Sequence, residues 1–104
     1  MSDAALVLVS CGSEEEARTL SRGLVERDLA AGVQRFPITS VYTWKGEVVE
    51  DGEWLLVIKT RPDRYPDIAA YVVEHHSYEV PQVIMVPVTG GHAPYLDWID
   101  QHTR

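Results

Sequence analysis

Cysteine is almost absent from this chain: Cys11 stands alone among 104 residues. One thiol can form neither an internal disulfide nor a CxxC metal pair, which excludes a secreted disulfide scaffold. Positive charge is also scarce. Nine Lys and Arg residues face sixteen Asp and Glu, giving a formal charge of −7. No three basic side chains fall together, so the basic stripe that a nucleic-acid binder turns toward phosphate is missing. No apolar run approaches the ~20 residues that a membrane-spanning helix needs. Met1-Ser2-Asp3 carries neither a basic nor an apolar leader pattern, and the expectation is a cytoplasmic protein with no nucleic-acid and no membrane partner. Internal repeats and low-complexity stretches are lacking as well. The length suits a single domain over residues 1–104, which buries only about two-thirds of its unfolded surface. Oligomerisation would supply more.

What the chain does have is strong local patterning. Ala4 to Ser10 is a Val- and Leu-rich run suited to a buried strand. Ser13 with Glu16 three residues later forms a capping-box pattern, and Glu14, Glu15 and Glu16 complement a helix dipole. Ala17, Leu20, Leu24 and Ala31 keep helical spacing up to Gly32, which predicts a helix over 13–31. Val33 to Trp44 and Glu47 to Thr60 read as the arms of a long hairpin turning at Lys45-Gly46. Pro37 marks an edge or kink, and Asp51-Gly52 marks a bulge or bend. Leu55 to Ile58 is too continuously apolar for one face to meet water, so helices cover one face and another subunit the other. Tyr65, Ile68, Ala69, Val72 and His76 form a second helical stripe, Val83 to Val88 a last strand, and Pro94 opens a terminal helix. The order is β-α-β-β-α-β plus a helix, an α+β ferredoxin-like split βαβ arrangement.

That fold hosts unrelated functions, so the residues must decide. RNA-recognition domains flank their sheet aromatics with basic residues, and these strands have few. Soft-metal chaperones need paired thiolates. Acylphosphatase-type hydrolysis needs a phosphate-cradling loop with arginine after the first strand, and Cys11-Gly12-Ser13-Glu14 is acidic instead.

The stretches LVSCGSEEEA, LVERDLAAGV, SVYTWKGEV, WLLVIKT, HSYEVP and YLDWI, in that order, resemble the CutA divalent-cation tolerance family from about Leu6 to Arg104. The resemblance implies a ferredoxin-like subunit, a cytoplasmic homotrimer, and binding of copper, Cu(II), or another divalent cation with no obligatory cofactor. It also implies a likeness to the PII signalling trimers, which bind small ligands between subunits. Two departures stand out. Gly32 replaces the family's usual cysteine, and Ser77 and Gln82 replace residues of its HPYEVPE stretch.

The candidate metal ligands are therefore His76 and Glu79, with Cys11 as a thiolate at the end of a strand and the start of a helix, where thiol pKa values can fall. The plainer readings are a buried, inert Cys11 and a His76 that holds its turn by hydrogen bonds. His75, His92 and His102 read as surface residues. Tyr78, Lys59 and Trp44 are candidates for a ligand cleft between subunits, and Tyr42, Trp44 and Trp54 for interface anchors. As an alternative function, a PII-like sensor would bind a small anionic or nucleotide-like ligand, with Lys59, Arg61 and Arg64 supplying positive charge. An enzyme built on a Cys11–His76 pair would need those groups within hydrogen-bond reach, and the spacing does not require it. The expectation is a non-catalytic protein.

Overall fold

A computed structural model describes residues 3–104; Met1 and Ser2, on which part of the leader expectation rests, lie outside the described residues. Eight elements follow one another: β1 (Ala5–Cys11), α1 (Glu14–Glu26), β2 (Gly32–Trp44), β3 (Glu47–Thr60), a 3-10 turn (Pro62–Arg64), α2 (Tyr65–His75), β4 (Val83–Pro87) and α3 (Ala93–Gln101). The four strands form one sheet of order β2-β3-β1-β4, antiparallel at each pairing. This is the expected ferredoxin-like α+β fold.

The core forms where the period-2 pattern of the strands meets the helical stripes. Val7, Val9, Leu56 and Ile58 project from β1 and β3 against Ala17, Leu20 and Leu24 of α1 and Ile68 and Val72 of α2. All of these are essentially inaccessible to solvent. On the opposite face, α3 packs at one end of the sheet, where Ile99 joins Ala4 and Ala31. Leu6, Leu8, Leu55 and Val57 are only half-buried on that face, and Ile84 and Val86 of β4 are exposed.

Three local expectations are corrected. Helix α1 ends at Glu26, five residues short of Ala31, because Asp28 adopts a left-handed φ of 58°. The N–H groups of Leu29 and Ala30 then both turn back to the Leu24 carbonyl, and the chain leaves the helix axis. Asp tolerates this conformation better than most side chains. No bulge occurs at Asp51-Gly52 either: the β2–β3 register runs unbroken through Thr39↔Gly52 and Ser40↔Asp51. Trp54 also differs from expectation, packing against the subunit's own core rather than standing free. Pro37 sits on β2, an edge strand, where its missing N–H breaks no inner ladder.

The hairpin outruns the rest of the sheet. β1 accompanies β3 only from Trp54 to Thr60, so Glu47 to Glu53 pair with β2 alone as a two-stranded ribbon. This ribbon stretches the subunit to 45 Å along its longest axis against 25 and 21 Å across. At its tip Lys45 and Gly46 have φ of 51° and 81°, the two positive angles that a tight two-residue hairpin turn requires.

Candidate functional site

The end of β1, the start of α1 and the loop after α2 converge beside the root of the hairpin. Strand β1 carries Ser10 and Cys11 to its end, and the helix begins almost at once. Ser13 caps α1 by accepting the Glu16 N–H at 3.2 Å, but the Glu16 carboxylate does not complete the box. Its Oε2 accepts instead from the Ser77 N–H at 2.8 Å, tying α1 to the loop after α2. Cys11, Glu16 and His76 thereby place one potential ligand atom each within 4.8 Å of one another.

His76 uses both ring nitrogens. Nδ1 accepts the Tyr78 N–H at 3.0 Å, and Nε2 lies 2.8 Å from the Ser10 carbonyl. A carbonyl only accepts and an amide N–H only donates, so the partners assign the proton to Nε2. The imidazole pins the loop to the end of β1, the structural role weighed for it from sequence. Cys11 is fully buried, and burial, then the charges of Glu16 and Glu53, push its thiol up to about 12. The thiol and imidazole are near one another without activation, since the thiol holds its proton and the imidazole lone pair accepts the Tyr78 N–H. Glu16 Oε1 is the exception in this cluster: it is buried and accepts no hydrogen bond among the described residues.

Glu79 lies outside this cluster. It is exposed and lines a neighbouring cleft of about 720 Å³, between the inner side of the hairpin and the loop after α2. The backbone at His76 is extended, so successive side chains leave the loop in different directions, and α1 supplies the cluster's carboxylate instead. Tyr78 and Trp44 also line this cleft within the single chain, together with Tyr42, Glu53 and Ser10. The Tyr78 hydroxyl donates to Glu53 Oε2 at 2.8 Å, and burial, followed by the Glu53 contact, raises the phenol's pKa. Glu53 itself is only 7% exposed.

Lys59 is absent from the cleft. It faces α3, with its ammonium 3.0 Å from the Tyr95 hydroxyl. Arg61 is likewise committed elsewhere, donating to the hydroxyl and carbonyl of Thr103 and so fastening the C-terminal end of the chain. Arg64, at the end of the 3-10 turn, pairs with Asp67 in the first turn of α2. Gly32 pairs with Lys59, whereas Cys11 pairs opposite Trp54, five residues back along β3 and therefore ~17 Å away. A cysteine at position 32 would not join the Cys11 cluster of its own subunit. A Cβ there would also come within 3.3 Å of the Trp98 ring of α3, which gives the glycine a packing reason. His75 and His102 each hold a carbonyl four residues back, and His92 is the exposed N-cap of α3.

Sequence reasoning assigned Glu16 to helix capping and gave Glu53 no role. Each looks like an ordinary surface acid in the linear pattern, and only the docking of the loop onto α1 and β3 gives it another partner.

The family model for the CutA1 divalent ion tolerance protein matches residues 5–102. The divalent-cation tolerance protein CutA of Thermus thermophilus is 44% identical over 99 residues, covering 94% of this chain and 96% of the relative. Protein CutA of Mus musculus is 45% identical over 97 residues, covering 92% of this chain but only 55% of that longer protein. The solved structure of the periplasmic divalent cation tolerance protein CutA from Archaeoglobus fulgidus aligns with a TM-score of 0.95 at 32% identity, over 97% of this chain and 99% of that one. Among the described residues no helix is long and apolar enough to cross a membrane.

Proposed function

The chain belongs to the CutA1 divalent ion tolerance family, and on that premise we propose that it is a non-catalytic, cytoplasmic homotrimer that binds a divalent cation, with copper the leading ion. The observation that carries this reading is the buried, unsatisfied Glu16 Oε1, on a carboxylate that has an oxygen within 4.8 Å of a thiol and an imidazole nitrogen. A buried acceptor without a donor is costly, and a cation at that oxygen would offset the cost. Thiol, imidazole and carboxylate together suit Cu or Zn better than a hard cation.

The chemistry of each ligand sets how binding proceeds. Cys11 binds only as thiolate, so the ion must displace its proton, and affinity rises with pH. His76 offers Nδ1 only by releasing the Tyr78 N–H, so its recruitment loosens the loop that borders the cleft. Glu79, an expected ligand from sequence, lies outside the Cys11, Glu16 and His76 cluster and is not part of the proposed ligand set. A cytoplasmic setting fits the lone buried thiol, although the Archaeoglobus relative is described as periplasmic. The non-catalytic reading rests on the raised thiol pKa and the fully engaged imidazole.

Calorimetric titration of tag-free protein with Cu(II), in a buffer that binds copper weakly, tests the assignment. Saturable binding at one site per subunit is expected, weakened by at least about tenfold in Glu16→Gln and lost in a Cys11→Ser, His76→Ala double variant. Undiminished affinity in both variants would place the cation elsewhere.

A further inference from the structure

The cleft beside the proposed metal site has a chemistry of its own. Its volume of about 720 Å³ lies within the range of small-molecule sites. None of its lining residues is Lys, Arg or His, while Glu53 and Glu79 both face it. Among the described residues no basic side chain forms an ion pair with Glu53, although that residue is 7% exposed. A carboxylate removed from water without a counter-charge is a costly arrangement, and its binding partner of choice is a cation.

The hydrogen-bond donors in the cleft point the same way. Tyr78 gives its hydroxyl hydrogen to Glu53, and Tyr42 gives its own to Asp51 at 2.7 Å. With both phenols committed to carboxylates, the other side-chain donors among the lining residues are neutral, the hydroxyls of Ser10, Ser40 and Ser77, the Gln82 amide and the Trp44 indole N–H, beside two carboxylates and the aromatic faces. Tyr42, Trp44 and Tyr78 contribute three such rings. At the hairpin tip one already holds an ammonium, with Lys45 Nζ 5.7 Å from the Trp44 ring centroid. Aromatic faces beside buried carboxylates recognise organic ammonium ions through cation–π attraction and charge pairing together.

We infer that this cleft is a binding site for a small organic ammonium ion, held by the Glu53 carboxylate against the rings of Tyr78, Tyr42 and Trp44. This reverses the charge of the small anionic or nucleotide-like ligand that the sequence suggested as an alternative. The inference stands apart from the proposed metal site, because none of Cys11, Glu16 and His76 lines the cleft. An inorganic divalent ion would make no use of the aromatic walls. A basic side chain from a neighbouring subunit is the competing occupant, and it would close the site to any added ligand.

The test uses the full chain with a chelator present to remove metal ions, titrated by calorimetry and by NMR. The cationic probes are choline and ethanolamine. The controls are 3,3-dimethylbutan-1-ol, a neutral isostere of choline, and 3,3-dimethylbutyrate, an anion of similar size. At least one cationic probe is expected to bind about tenfold or more tightly than the alcohol, and the anion not measurably. Glu53→Gln keeps an acceptor for Tyr78 while removing the charge, and should lose that preference. Binding of neither cation, equal binding of choline and the alcohol, or an undiminished preference in Glu53→Gln would each overturn the assignment. If Glu53→Gln fails to fold, the four-probe comparison on the unmodified chain decides alone. Failure here leaves the Cu(II) titration untouched, and the reverse also holds.

Discussion

Single residues in this protein act through their protonation and their partners. Cys11 is the clearest case. Its thiol rises from an ordinary 9.0 to about 12, because burial and then the Glu16 and Glu53 charges oppose the thiolate. A raised folded-state pKa contributes stability that is complete below the unfolded value and lost as pH climbs through the folded one. Urea unfolding at a series of pH values between 9.0 and about 12 should therefore show the wild type losing stability more steeply than Cys11→Ala. Equal slopes would mean that the thiol is less isolated from water than its position indicates. His76 illustrates the complementary case of a residue defined by two contacts. Its pattern as an apolar-stripe histidine before a turn was visible in sequence. Which nitrogen carries the proton follows only from the Ser10 carbonyl and the Tyr78 N–H that it meets.

At the scale of elements, helix α1 shows how tertiary packing overrules propensity. Gly23 lies inside the helix, where alanine would ordinarily be favoured by about 1 kcal/mol. A Cβ at that position would collide with the ring and hydroxyl of Tyr71 on α2. That ring cannot easily yield, since it stacks on His75 at 4.2 Å and carries the Arg27 guanidinium 4.8 Å from its centroid. Gly23→Ala is expected to destabilise the protein by roughly 1–2 kcal/mol in thermal or urea unfolding, against the helix-propensity trend. A more stable variant would show that α1 and α2 can separate without cost. The early stop of α1 has the same origin. Leu29 and Ala30 keep a helix-compatible pattern, but they are buried in the core cluster as part of the turn into β2. The long hairpin, by contrast, was legible almost residue for residue, because its β-branched arms flank a Lys45-Gly46 turn with the required dihedral angles.

The whole molecule leaves much apolar surface uncovered in a single chain. A two-stranded ribbon is marginal in water by itself. This one exposes Val41 and Val48 at 63% and 78%, with Tyr42 and Trp44 alongside. The face of the sheet that α3 covers only at one end adds Ile84, Val86 and Phe36. Two apolar surfaces on one small domain favour burial against further copies. In light scattering, the unmodified protein should have about three times the 11.7 kDa subunit mass. Trp44→Asp should shift it toward a single subunit, because the charge would enter a buried interface. Trp54→Asp should instead unfold the subunit, since that ring packs on the core. A full-size trimer in Trp44→Asp would move the interface away from the ribbon.

The sequence by itself determined the element order, the sheet and the hairpin, because hydrophobic period, caps and turn residues are local signals that agree with one another. It also brought Cys11, His76, Tyr78 and Trp44 into consideration by their types and places. The tertiary structure alone decided which of them meet. Glu16 reads locally only as a capping residue and Glu53 has no distinguishing pattern, yet folding seats one beside a buried thiol and the other beneath a tyrosine hydroxyl. Lys59, plausible as a ligand-binding cation, was turned toward Tyr95 by the register of β3 against α3. Contacts between residues far apart in the chain depend on how layers pack, and no periodicity along the chain encodes them.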